Sequence, residues 1–173
     1  MKILKIVGIV LASLIVLGAT IIIFLPSKAH VERTVVINST PDKIFTAVDG
    51  FKYFKQWSPW VKKDSLTKYE FSDQLTGVGA TMKWESKKVG NGTQKTIEVE
   101  QNKRVKSEII FDGMGASTAE FILVPDGNGT KVTWTLDSEL SGIGKAFGPF
   151  MDIMVGPDYE SGLQSLKTYV ESL

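Results

Sequence analysis

The chain has 173 residues, a formal net charge of +1, one histidine and no cysteine. Without cysteine there is no disulfide stapling, no thiol catalysis and no lipid attachment through a thiol, and one histidine cannot assemble a Cys/His metal site. Acidic and basic residues are interleaved, so no basic stripe marks a nucleic-acid or anionic-lipid surface.

From Ile6 to Leu25 no residue carries a formal charge and almost all are apolar. Twenty residues at about 1.5 Å each span about 30 Å as a helix, the hydrocarbon thickness of a bilayer. A cleaved signal peptide would share the basic start, Lys2 and Lys5, and the small-x-small site at Ser27-Lys28-Ala29, but its apolar core runs only ~7–15 residues. The reading is therefore a retained transmembrane helix, with residues 1–29 as anchor and linker. The slight excess of Lys2, Lys5 and the terminal amine over Lys28 and Arg33 predicts a cytoplasmic N-terminus and an extracytoplasmic domain. Pro26 to Ala29 reach at most ~14 Å, which holds the following domain close to the membrane face.

Residues 30–173 are enough for one domain with a full hydrophobic core. His30 to Asn38 reads as a β-branched strand. Thr40-Pro41 then supplies a helix N-cap and first-turn proline, Ile44, Phe45 and Val48 give that helix its apolar face, and Phe51 to Trp57 reads as a second short helix. Beyond Pro59 the period becomes two, most clearly at Met82 and Trp84, Ile97 and Val99, Val105 to Phe111, Ala119 to Leu123, and Val132 to Leu136. Two Gly-Asn-Gly-Thr stretches, at Gly90 and Gly127, predict hairpin turns, and that chemistry also accounts for their match to the glycosylation sequon. The last helix is expected from Pro157 to about Glu171, with Tyr159, Leu163, Leu166 and Val170 on one face.

The opening "VERTVVINSTPDKIFTAV", then "FKYFKQWSPW", "GVGATMKWES", "NGTKVTWTL" and the closing "DYESGLQSLKTYVES" occur in an order and spacing that resemble the polyketide cyclase/dehydrase-like members of the SRPBCC superfamily. The resemblance covers about His30 to Leu173, and with its anchor the chain resembles a membrane-anchored bacterial subgroup. It implies an α+β helix-grip fold shared with START domains and pollen allergens: a curved antiparallel sheet of about seven strands around a long C-terminal helix, here preceded by one transmembrane helix. It also implies a cavity for lipids, sterols, polyketides or other apolar molecules, with catalysis in a minority of members.

Strand phase nominates the cavity lining: Met82, Trp84, Ile97, Val99, Ile109, Phe111, Phe121, Trp134 and Leu136 from the sheet, and Tyr159, Leu163 and Leu166 from the helix. The same residues serve equally as solid core. Lys95 shares the Ile97 phase and would meet an acidic head or snorkel past the rim. Trp57-Ser58-Pro59-Trp60 reads as an aromatic wall or a packed corner. Ser141 to Pro157 is both apolar and rich in glycine and proline, and Phe147, Phe150, Met151 and Met154 make it a candidate gate or membrane-contacting flap, an ordinary connecting helix being the alternative.

Carboxylates such as Asp112, Asp126, Asp137, Asp152, Asp158 and Glu160 fall in turns, strand ends or helix starts, leaving Asp49 and Tyr159 as the acid or base a cyclase would need. The expectation is a membrane-tethered module that binds an apolar small molecule or lipid, with no cofactor, metal or nucleic acid. Its alternatives are a cyclase/dehydrase-like enzyme on a hydrophobic substrate and a non-catalytic membrane interaction protein.

Overall fold

The computed structural model describes residues 2–112 and 115–173. A long helix, α1 (Lys2–Phe24), leads into β1 (Lys28–Ile37), three short helices, α2 (Pro41–Val48), α3 (Phe54–Trp57) and α4 (Pro59–Lys63), and then β2 (Lys68–Phe71) and β3 (Thr81–Glu85). Four longer strands follow, β4 (Gly92–Glu100), β5 (Arg104–Phe111), β6 (Ala116–Asp126) and β7 (Gly129–Glu139), then a 3₁₀ segment (Gly142–Phe150) and the closing helix α5 (Met151–Glu171). The strands form one seven-stranded sheet in the order β1-β7-β6-β5-β4-β3-β2, antiparallel throughout. This is the α+β helix-grip arrangement, in which the helices cover one face of the sheet.

Alternation builds that face. Val105, Ile109, Ala119, Phe121, Leu123, Val132, Trp134 and Leu136 are buried at every second position of β5 to β7. Against them α5 lays Tyr159, Leu163, Leu166 and Val170, all buried and spaced as one helical stripe. Thr40 caps α2 with proline at the next position, as its sequence predicts, although its hydroxyl makes no capping hydrogen bond.

Three local features differ from the sequence reading. Helix α5 begins at Met151 and carries Pro157 inside it. Its first turn is tied to β1 by Arg33, whose two terminal nitrogens donate to the Asp152 carboxylate at 2.8 and 3.2 Å. That tertiary ion pair lies 119 residues apart in sequence and no local pattern reports it. The second Gly-Asn-Gly-Thr stretch closes a two-residue loop, Gly127-Asn128, between paired Asp126 and Gly129. There the positive φ falls on Gly127, not on an Asn-Gly pair. The first stretch closes a wider connection from Ser86 to Asn91, in which the Ser86 amide donates to Asn91 Oδ1.

The third is a bulge in β4 between Thr96 and Glu98. Gln94 pairs with Ile109 and Thr96 with Ser107, on the inner face, whereas Ile97 is the extra residue and Val99 re-enters register opposite Val105. One inserted residue reverses parity, so Ile97 is 39% exposed. Lys95, opposite Glu108, lies exposed.

Helix α1 is long and apolar enough to cross a membrane, and none of that stretch is buried against the rest of the chain. Only Leu25, Pro26 and Ser27 separate it from β1.

Candidate functional site

Between the inner sheet face and the short helices lies an aromatic cluster assembled from distant parts of the chain. Trp134 on β7 stacks on Tyr159 of α5 (centroids 3.9 Å apart) and on Phe121 of β6 (4.8 Å). The corner Trp57-Ser58-Pro59-Trp60 sends both indoles into this stack: Trp57 meets Phe121 and Trp134 edge-on at 5.6 and 5.7 Å, and Trp60 meets Trp134 at 5.5 Å. Such edge and offset-stacked pairs are the preferred aromatic geometries. Trp57 also donates its indole N–H to the Ala47 carbonyl at 3.0 Å, which fixes the corner against α2.

Gly162 lets α5 approach closely enough for this stacking. A Cβ there would come within 2.7 Å of Trp134 Cζ3 and 3.0 Å of Pro59 Cδ.

Two voids flank the cluster. The smaller, about 20 Å3, is lined by Val48, Gly50, Phe51, Phe54, Trp57, Trp60, Gln94, Val105, Ser107, Ala119, Phe121 and Trp134. The larger, about 50 Å3 and partly open, is lined by Phe54, Trp60, Thr67, Tyr69, Met82, Trp84, Val89, Gln94, Ile109 and Phe111. Phe54, Trp60 and Gln94 belong to both linings and form the partition between them. Each void has room for water molecules, while sites for drug-sized ligands run to about 300–1,000 Å3. In this conformation the aromatic side chains occupy most of the interior.

Of the nominated lining, Met82, Trp84, Ile109 and Phe111 come together at the larger void, and Phe121 and Trp134 at the smaller. Leu136, Tyr159, Leu163 and Leu166 are buried in the sheet–helix contact and touch neither void. Val99 is partly buried against the core, and Ile97 stands on the bulge outside both. Gln94, the polar residue common to the two linings, was not legible, because reading β4 as unbroken alternation from Ile97 and Val99 puts Gln94 on the wrong face. Tyr69 lies in, and Thr67 just before, a four-residue strand too short to show a period.

The acid–base candidates stand apart from the voids. Burial pushes the Tyr159 phenol well above its ordinary value, so it stays protonated. Asp49 accepts a hydrogen bond from the Gly77 amide at 2.9 Å and stitches α2 to the loop before β3. Among the described residues, neither void is lined by a carboxylate, histidine, lysine or arginine. The indole N–H groups of Trp84 and Trp134 are buried without an acceptor.

Phe147, Phe150 and Met154 are exposed, together with Ile143 and Ile153, while Met151 packs against the core. None lines a void. Their segment sits against α1 and β1, with the Lys145 ammonium donating to the Ile23 carbonyl at 3.2 Å and the Leu140 amide to the Ser27 carbonyl at 2.8 Å.

Solved structures with low sequence identity share this fold. A protein of Chromobacterium violaceum superposes with a TM-score of 0.59 at 17% identity, over 85% of this chain and 99% of its own. Ara h 8.0201 gives 0.62 at 14% identity, over 84% and 99%. DynU16, from the dynemicin biosynthetic locus, gives 0.57 at 17% identity, over 82% of this chain and 47% of its own. No curated protein sequence matches. The model of one family, polyketide cyclase / dehydrase and lipid transport, matches residues 28–171, and the chain belongs to that family.

Proposed function

We propose that this chain is a membrane-tethered binding module for an apolar small molecule or lipid held between sheet and helices. The observation that carries this reading is the pair of voids that share Phe54, Trp60 and Gln94 in their linings and whose described walls are largely apolar and without a charged side chain. Trp60 is partly exposed, and on this reading movement of the shared side chains Phe54, Trp60 and Gln94 would join the two voids. Family membership supports a hydrophobic ligand. The only ionisable group in the described walls is the Tyr69 phenol, which burial pushes above its ordinary value and keeps protonated, and no carboxylate or histidine accompanies it as a base, which favours binding over cyclase chemistry. The uncharged, exposed stretch of α1 from Ile6 to Phe24 and its three-residue connection support tethering.

The test uses the full chain in lipid nanodiscs, melted in the presence of fatty acids, isoprenoids, sterols and aromatic polyketides. A bound ligand at 100 times its Kd stabilises by about 2.7 kcal/mol, a readily measured rise in Tm. Ala119→Leu, which fills the smaller void, should abolish that rise. No saturable shift with any member of the panel leaves a solid core and overturns the reading.

A further inference from the structure

We infer that the hydrogen bond between Asp64 and Ser86 is a clasp across the mouth of the larger void and sets how readily that void opens. This deepens the binding reading and rests on it. In the wall of the void Phe54, Met82, Trp84 and Ile109 are buried, whereas Thr67, Val89 and Phe111 are partly exposed. These three lie together at one end of the sheet, because Lys68 pairs with Glu85, Trp84 with Gly92, and Gly92 with Phe111. Lys68 and Glu85 are the last pair of the β2–β3 ladder, and Thr67 and Val89 belong to the two connections that run on beyond it.

Each connection is folded over one polar side chain. Asp64 ends α4: its amide donates to the Trp60 carbonyl at 3.2 Å, its carbonyl accepts from the Thr67 amide at 3.2 Å, and its Oδ1 accepts from the Leu66 amide at 3.1 Å. On the facing connection the Ser86 hydroxyl oxygen accepts from the amides of Lys88 and Val89 at 3.2 and 2.9 Å. The same hydroxyl donates to Asp64 Oδ2 at 2.7 Å, and that bond joins the two connections. Asp64 and Ser86 are buried although Ser65, Leu66, Lys87 and Lys88 beside them are exposed. The Ser86 hydroxyl, with the Leu66 amide, holds the Asp64 carboxyl below the usual carboxylate range, so it stays ionised at neutral pH and accepts strongly. A connection whose backbone is tied to one side chain opens as a unit. Breaking the Asp64–Ser86 bond therefore frees Thr67 from Val89 and widens the mouth between them.

The chain has no cysteine, so a thiol placed in the void reports opening through its labelling rate. Met82→Cys puts that thiol in the larger void, and Val132→Cys, buried outside both linings, reports unfolding of the sheet itself. Methyl methanethiosulfonate, small and uncharged, is added to the full chain in lipid nanodiscs. Asp64→Ala and Ser86→Ala should each speed labelling at Met82→Cys about tenfold, the effect of losing one buried hydrogen bond, and leave labelling at Val132→Cys unchanged. The double variant should stay well short of the roughly hundredfold rise that two independent losses would give, since both substitutions remove the same bond. Equal acceleration at the two thiols makes the pair an ordinary stabilising contact and overturns the clasp. So does an unchanged rate at Met82→Cys, or a double variant that reaches the product of the singles. If Asp64→Ala does not fold, Ser86→Ala measured at the two thiols decides the matter. No ligand enters these measurements, so their failure leaves the binding module standing, and the melting panel tests that module by itself.

Discussion

His30 is the only histidine, and the structure gives it a specific electrostatic setting. Its Nδ1 lies 2.8 Å from Asp137 Oδ1 across the β1–β7 pair, with Glu32 at 3.7 Å from Nε2. The hydrogen bond to Asp137 raises its pKa above 6.5, ahead of the Coulombic pull of Asp137 and Glu32 and against a smaller loss of solvation. A raised folded value means that the protonated form stabilises the fold: the contribution is complete below pH 6.5 and disappears as pH rises through the folded pKa. All three side chains are about half exposed, which keeps the contribution small. An NMR titration of the single imidazole should give a midpoint above 6.5, and Asp137→Asn should return it toward that value. A midpoint unchanged by Asp137→Asn would show that the pair does not persist in solution.

At the scale of elements, the bulge in β4 decides which residues reach the interior. Ile97 and Ile109 are the same residue type on adjacent strands, yet one stands on the bulge at 39% exposure and the other is buried at 8%. Ile109→Ala should cost about 2–5 kcal/mol, the range for emptying a packed site. Ile97→Ala should cost under about 1 kcal/mol, because little apolar surface is lost from the core. Urea unfolding of the two variants compares them directly, and equal costs would place Ile97 inside and remove the bulge. The same strand carries Thr96, fully buried with a hydroxyl that has no partner. Thr96→Val, which keeps the shape and removes that orphan, should stabilise the fold by about 1 kcal/mol. A loss of stability would show that the hydroxyl is bonded, by water or by ligand.

For the whole molecule, the decisive relation is between α1 and the exposed apolar 3₁₀ segment beside it. With Leu25 to Ser27 as the only connection, Ile143, Phe147, Phe150, Ile153 and Met154 are held near the level at which α1 leaves its apolar stretch. Burying each phenylalanine is worth about 1.5–3 kcal/mol before ordering costs, enough to orient a domain that is already tethered. We propose that this segment contacts the membrane as a flap; none of its residues lines either void. The absence of cysteine makes site-directed spin labelling clean. A nitroxide on Phe147→Cys in nanodiscs should be accessible to oxygen and shielded from aqueous nickel, whereas one on Leu66→Cys, exposed between α4 and β2, should behave as a water-facing site. Equal nickel accessibility at the two positions would rule out membrane seating.

The sequence by itself determined the long apolar helix, six of the seven strands from β-branched alternation, the α2 start at Thr40-Pro41, and the α5 stripe of Tyr159, Leu163, Leu166 and Val170, while β2 is too short to show a period and a sheet of about seven strands was implied only by the family resemblance. These are local periodicities and caps, and burial in one layer enforces them residue by residue. Only the tertiary structure decided which inner-face residues border open space. The aromatic stack fills the interior because Gly162 admits α5, a fact of close approach between segments distant in sequence. The β4 bulge depends on how two strands pair, so the parity that puts Gln94 inside and Ile97 outside is invisible along one strand. The Arg33–Asp152 ion pair at the early start of α5 joins segments distant in sequence, and the unpartnered Trp84 and Trp134 donors exist only because folding removed them from water without supplying an acceptor.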